Sequence, residues 1–208
     1  IISAREGNSG TFRENINPAF ELAYWSWGLK KANDWRERMG RERNADWDRM
    51  ADQMAPWPVV NGVYVEAESV LEKDGGHPTQ LAAYGFLPAS AYLDKEVMRK
   101  TLRHVLDNWD WADTWGWDFP LIAMTAIRLN EPEWALETLL KSVQKNTYLP
   151  NGHNFQNEGL PLYLPGNGGL LTVVAMMCAG WDGCTEGNPG FPKNGLWNVK
   201  WEGLKPAF

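Results

Sequence analysis

Ten consecutive positions, Trp109 to Asp118, hold four tryptophans and three aspartates, and neither helical nor strand periodicity accounts for that arrangement. Interleaved indoles and carboxylates suit the binding of a sugar. The C–H faces of a pyranose lie on aromatic faces, while acidic oxygens accept hydrogen bonds from its hydroxyls. Trp115, Trp117, Asp113 and Asp118 are the expected substrate-binding residues of this run. Half of the indoles are expected in the core and half along a cleft. Asp118, standing before Phe119-Pro120, is also a competent helix cap whatever else it does.

Hydrolysis of a glycosidic bond needs two groups flanking the scissile oxygen, one protonated and one ionised, and their separation sets the stereochemical outcome. The candidate carboxylates in the same set of loops are Glu6, Glu14, Glu66, Glu68 and Glu158. Glu158 stands out because it follows Asn154-Phe155-Gln156-Asn157, where Asn154 and Gln156 add amides suited to sugar hydroxyls. Glu6 is the weaker choice for the partner acid. No other chemistry competes well. His77, His104 and His153 are too dispersed for a metal set. The run Pro165-Gly166-Asn167-Gly168-Gly169 lacks the Lys-Ser/Thr of a phosphate loop. No cofactor and no metal are expected.

Composition bounds the rest. The chain has 208 residues, 44% of them apolar and 22% charged, as in globular domains. Its net charge of −6, with no cluster of Lys or Arg, argues against nucleic acid as a partner. The longest uncharged stretches, near 75–93 and 159–181, are broken by Gly, Pro and polar residues, so no membrane span is expected. Cys178 and Cys184 could form one disulfide but set no framework. The chain starts at Ile1 with no Met and no signal-like segment, as expected of a mature product or an excised piece.

These residues must be held by helices. Asn17-Pro18 reads as a cap opening a segment to about Met39, stopped by Gly40 and apolar nearly all round its first half. An amphipathic helix follows from Ala45 to Met54. The alternation then repeats: an uncharged helix from Pro78 to Leu87, a charged one from Asp94 to Asn108, an apolar one from Phe119 to Leu129 capped by Asp118, and a charged one from Glu131 to about Val143 capped by Asn130. A last uncharged helix runs from Gly169 to about Gly180. Seven helices taking turns between buried and two-sided are what inner and outer layers of helical hairpins require. The expected fold is all-α, a partial toroid forming one domain over 1–208. Its tail, 181–208, is expected to be irregular, with a short strand pair at 195–203.

Connections into the buried helices are long: the segment before Asn17, Trp57 to His77, Trp109 to Trp117, and Asn146 to Gly168. If the hairpins alternate direction, all four lie at one end, which is the expected site.

Asn17 to Trp25 with Trp35-Arg36-Glu37-Arg38, then Thr114 to Pro120, then Asn151-Gly152-His153-Asn154 through Leu164-Pro165-Gly166-Asn167-Gly168-Gly169-Leu170 resemble the catalytic domain of six-hairpin glycosidases, the (α/α)6-toroid glycoside hydrolases of Bacteroidetes type. The resemblance covers most of the chain and is silent on substrate. It implies a hydrolase exported to the periplasm or cell surface, with an acid in the loop before one inner helix, where Glu6 falls, and a base in a later one, where Glu158 falls. Pro165 stands where the related α-L-fucosidases have an Asp. A complete ring takes twelve helices, so seven imply the C-terminal part of a longer enzyme, or a ring completed by another protomer. A non-catalytic carbohydrate-binding helical module is the alternative reading. A toroid lyase or isomerase using His153 or Tyr163 is the third.

Overall fold

The computed structural model describes residues 16–70 and 75–207. Over the described residues the fold is all-α, with seven helices: α1 (Ala19–Arg38), α2 (Ala45–Asp52), α3 (Thr79–Gly85), α4 (Lys95–Asn108), α5 (Asp118–Arg128), α6 (Pro132–Leu139) and α7 (Leu164–Ala179). The odd-numbered helices form an arc, α1 against α3, α3 against α5 and α5 against α7, while α2 packs outside α1 and α6 outside α5. This is a partial toroid of hairpins around one apolar cluster.

The arc explains which helices are sealed. The middle inner helices have neighbours on both sides, and every residue of α5 is buried, as are Gln80 to Gly85 of α3. Among the described residues, the helices at the two ends of the arc have an inner-helix neighbour on one side only. On α1, Tyr24 and Trp25 remain half exposed, and on α7 Leu171 is 72% exposed. The expectation that α1 and α7 are buried all round is thus corrected for one face of each: an apolar periodicity seals a face only where a neighbour lies against it.

Helix ends follow local chemistry, with several corrections. Asn44 caps α2 by accepting from the amides of Asp46 and Trp47, and Asp94 caps α4 by accepting from Glu96 and Val97. Asn17 does not cap α1; its side-chain amide donates to Glu68 (2.9 Å), and the first free N–H of the helix, on Ala19, donates to the carbonyl of Glu66 (3.0 Å). Asn130 does not cap α6. It takes φ +61° and turns the chain out of α5, a conformation Asn tolerates better than most residues. α6 stops at Leu139, short of Val143, and the Asn146 side-chain amide donates to the carbonyls of Leu139 and Lys141, satisfying groups the helix leaves open.

Two of the long connections contain small antiparallel hairpins, β1 (Val59–Val60) with β2 (Val63–Tyr64) and β3 (Thr147–Tyr148) with β4 (Asn154–Phe155). The tail is irregular, tied back by a parallel bridge between Trp181 and Ala207. The stretch 195–203 forms no strand, and Leu196, Trp197 and Trp201 are exposed; alternation there has no partner strand to fix it. Cys178 and Cys184 are both free thiols, and burial pushes the Cys178 thiol up.

One buried pair sets the α1–α2 hairpin. Asn33, fully buried in α1, donates to the carbonyl of Asn44 (2.9 Å) and accepts from its N–H (2.8 Å), bracing the residue that caps α2. Asn33→Ala leaves the partly buried Asn44 N–H unpaired, while the Asn44 carbonyl keeps the Trp47 and Asp48 amides as donors, so we expect a loss of about 1.5 kcal/mol. Chemical denaturation measures it, and a loss below about 0.5 kcal/mol, the level of an ordinary surface change, overturns the assignment.

Candidate functional site

The N-terminal ends of α3, α5 and α7 meet at one end of the arc, and side chains from their preceding loops interlock there. His77 precedes α3 and Asp118 is the first residue of α5. The His77 Nδ1 lies 3.0 and 3.1 Å from the two carboxylate oxygens of Asp118, and the backbone N–H of Trp115 donates to the same carboxylate at 2.7 Å. Asp118 is therefore not the helix cap expected of it. Its carboxyl faces back into the loop and is 0% exposed, so it is not a group that a sugar touches. Burial pushes its pKa up, and the His77 and Trp115 hydrogen bonds pull the other way.

The backbone beside His77 is held from two sides. The indole N–H of Trp109 donates to the carbonyl of Gly76 (3.1 Å), and the Thr79 N–H donates to the His77 carbonyl (2.8 Å). The imidazole packs on Trp117 with centroids 4.9 Å apart. Trp117 in turn borders a mostly apolar cavity of about 370 Å³ between α3, α5 and α7, lined also by Phe86, Met124, Thr172 and Met176.

A second constellation fastens the loop before α5 to the loop before α7. Gln156 accepts from the N–H of Gly116 (2.9 Å) and donates both to the Asn154 side-chain carbonyl (2.8 Å) and to the Lys145 carbonyl (3.1 Å). Asn154 donates to the carbonyls of Lys145 and Thr147. Both residues are 0% exposed, so the expectation that they bind sugar directly is corrected: their amides are spent tying chain to chain. Two glycines make the approach possible. A Cβ at Gly116 would stand 1.8 Å from the Asn154 side-chain oxygen, and one at Gly166, in the first turn of α7, would stand 2.1 Å from it. The glycine-rich run is helical, and at Gly166 smallness serves contact rather than flexibility.

The remaining candidates divide. Trp109 is core. Trp111 stacks on Phe119 and carries the Lys141 ammonium 4.5 Å from its ring centre, and Trp115 packs on Tyr163 with the Lys145 ammonium at 4.4 Å. Asp113 is exposed, with its carboxylate beside Gly75. Glu158 is exposed in the turn closed by the Asn157–Leu160 bridge. Glu6 lies outside the described residues. The stretches 109–118 and 154–158 are thus brought to the same end of the molecule.

His77 is the residue that sequence reasoning passed over, because 41 positions separate it from Asp118. Its signal was positional: like Asp118, it stands at the entrance to a buried helix after a long connection. Among the described residues, no three His, Cys, Asp or Glu side chains lie close enough to share a metal ion, and no helix is long and apolar enough to cross a membrane. Comparison with protein-family models finds none that matches the chain, and comparison with curated proteins finds no significant relative.

Proposed function

We propose that this chain is a glycoside hydrolase domain that cleaves an oligo- or polysaccharide by acid–base catalysis with inversion, acting outside the cytoplasm as part of a larger toroid. The observation that carries the reading is the convergence at one end of the arc of partly buried indoles, Trp115 and Trp117, with exposed carboxylates, Asp113 and Glu158, on loops locked together by buried hydrogen bonds. Rigid aromatic platforms beside acidic groups fit a ligand with apolar ring faces and many hydroxyls. In this reading Glu6 gives its proton to the leaving oxygen while Glu158 takes one from the attacking water, Trp115, Trp117 and Asp113 hold the sugar, and Asn154 and Gln156 hold the loops.

The test is to measure binding and hydrolysis on one preparation against a panel of defined oligosaccharides, following the anomeric configuration of the first product by NMR. Binding with turnover and an inverted product supports the proposal. Binding with no turnover, by this chain and by any longer protein that contains it, overturns the hydrolase and favours a carbohydrate-binding module. That second reading draws its support from the exposed position of Glu158 on a turn, where a carboxylate is ordinarily a solvated surface group.

A further inference from the structure

We infer that Lys145 sets the substrate class of this site: a sugar carrying an anionic group, a uronate carboxylate or a sulfate ester, bound beside Trp115. The inference rests on the carbohydrate reading above and extends it. Lys145 is partly buried, and its ammonium lies 4.4 Å from the centre of the Trp115 ring. Among the described residues it makes no ion pair with a carboxylate. Lys141, on the same connection, covers Trp111 at 4.5 Å but has Glu137 as a partner 3.9 Å away. Lys145 is thus a cation at the site that the described residues do not neutralise.

The root of this side chain is fixed by the lock between the loops. The Lys145 carbonyl accepts from the side-chain amides of Asn154 (3.1 Å) and Gln156 (3.1 Å), and Gln156 also accepts from the Gly116 N–H beside Trp115 (2.9 Å). The same buried amides therefore hold the backbone of Lys145 and the loop that carries the indole in one register.

Trp115 also packs on Tyr163, with 5.5 Å between ring centres, so a pyranose gains the face of the indole by displacing the ammonium. A cation over a partly exposed indole is a weak contact, and a charge-assisted hydrogen bond from lysine to a carboxylate or sulfate is a stronger one. With an acidic sugar the exchange is favourable, because the ring takes the face that the ammonium leaves and the ammonium takes the acid group. A neutral sugar displaces the same cation and returns only a hydroxyl. The carboxylates of the site do not cancel this preference. Asp113 has its carboxylate beside Gly75, on the loop before α3, and Glu158 is exposed on its turn. An acidic sugar therefore lies with its anionic group toward the loop before α7 and its hydroxyls toward Asp113.

The experiment uses the full chain with ¹⁵N in its 13 tryptophans, and Trp115→Phe assigns the Trp115 indole signal. The probes are methyl glycopyranosides of the gluco, galacto and manno series, in matched sets that carry a hydroxymethyl group, a carboxylate or a sulfate ester at the exocyclic carbon. At least one acidic member should move the Trp115 signal and bind about 10-fold tighter than its neutral counterpart, the worth of one hydrogen bond. The carboxylate and sulfate arms tell the two groups apart. Lys145→Gln should remove the preference by weakening the acidic sugar about 10-fold and leaving the neutral one unchanged, and Lys145→Arg should keep it. Salt at about 1 M should shrink it by screening. The lock uses only the backbone carbonyl of residue 145, so the unfolding midpoint of Lys145→Gln should match that of the unmodified protein. Equal binding of acidic and neutral partners, no acidic probe that moves the Trp115 signal, or a preference retained in Lys145→Gln overturns the inference. Turnover of neutral oligosaccharides with no acid preference sinks the inference and leaves the hydrolase reading standing. An acid preference that depends on Lys145, in a protein that turns nothing over, does the reverse.

Discussion

Gly116→Ala should cost the fold about 4 kcal/mol and lower the unfolding midpoint by about 10 °C, on the scale expected for a domain of this size. The backbone at Gly116 does not need glycine for its dihedral angles, since its φ lies outside the left-handed region. The cost is one of space. A methyl group would arrive 1.8 Å from the Asn154 side-chain oxygen and 2.7 Å from the Gln156 amide nitrogen. Neither neighbour can swing away cheaply. Asn154 is held through its amide by the carbonyls of Lys145 and Thr147, and Gln156 by the Gly116 N–H and the Lys145 carbonyl. Moving them leaves buried polar groups unpaired at about 1–3 kcal/mol each. The matched control is Gly168→Ala in α7, where an added Cβ meets nothing within 4 Å. That change should leave the midpoint unchanged or raise it, because Ala is favoured over Gly within a helix. Circular dichroism on both variants decides the matter, and a Gly116→Ala midpoint within about 2 °C of the unmodified protein would mean that the two loops are not locked as described.

The same lock shows what a sequence discloses and what it hides. The helices were legible because each is written in a local code: the period of Met98, Leu102 and Val105 in α4, the caps at Asn44 and Asp94, the stop at Gly40. The one-ended placement of the long loops was legible too, since it follows from alternation along the chain. Pairings between distant positions were not. Nothing local in Asn154 or Gln156 says whether an amide turns toward ligand or toward backbone, and the answer comes from Gly116 and Lys145 brought close by the fold. His77 was invisible for the same reason, because its partner Asp118 is adjacent only once α3 and α5 pack side by side. Two hairpins carried a local signal in Asn61-Gly62 and Asn151-Gly152, dipeptides that favour tight turns, and Asn61 and Gly62 both take positive φ. The exposed faces of α1 and α7 were likewise concealed, since apolar periodicity reports what a helix can bury rather than what lies beside it.

If the acid–base reading holds, Glu158→Gln should lower turnover on a responsive oligosaccharide about 10³-fold, a barrier increase of about 4 kcal/mol. The substitution is nearly isosteric and falls on an exposed turn, so the fold should be unaffected and its unfolding midpoint should match the unmodified protein. An amide cannot take the proton from water, whereas it can still accept a hydroxyl hydrogen bond. A base role therefore predicts a fall in kcat with KM nearly constant, and a purely binding role predicts a rise in KM with kcat retained. Azide supplied to the variant sharpens the distinction: a small external nucleophile needs no deprotonation, so it should restore cleavage and give the glycosyl azide of inverted configuration. Full activity of Glu158→Gln removes this residue from the proton transfer. Loss of activity with no azide rescue and a raised KM makes it a ligand of the sugar. The locked loops give the test its force, because Asn154 and Gln156 fix the chain immediately before Glu158, and a change at the exposed tip reports on chemistry there rather than on the scaffold beneath it.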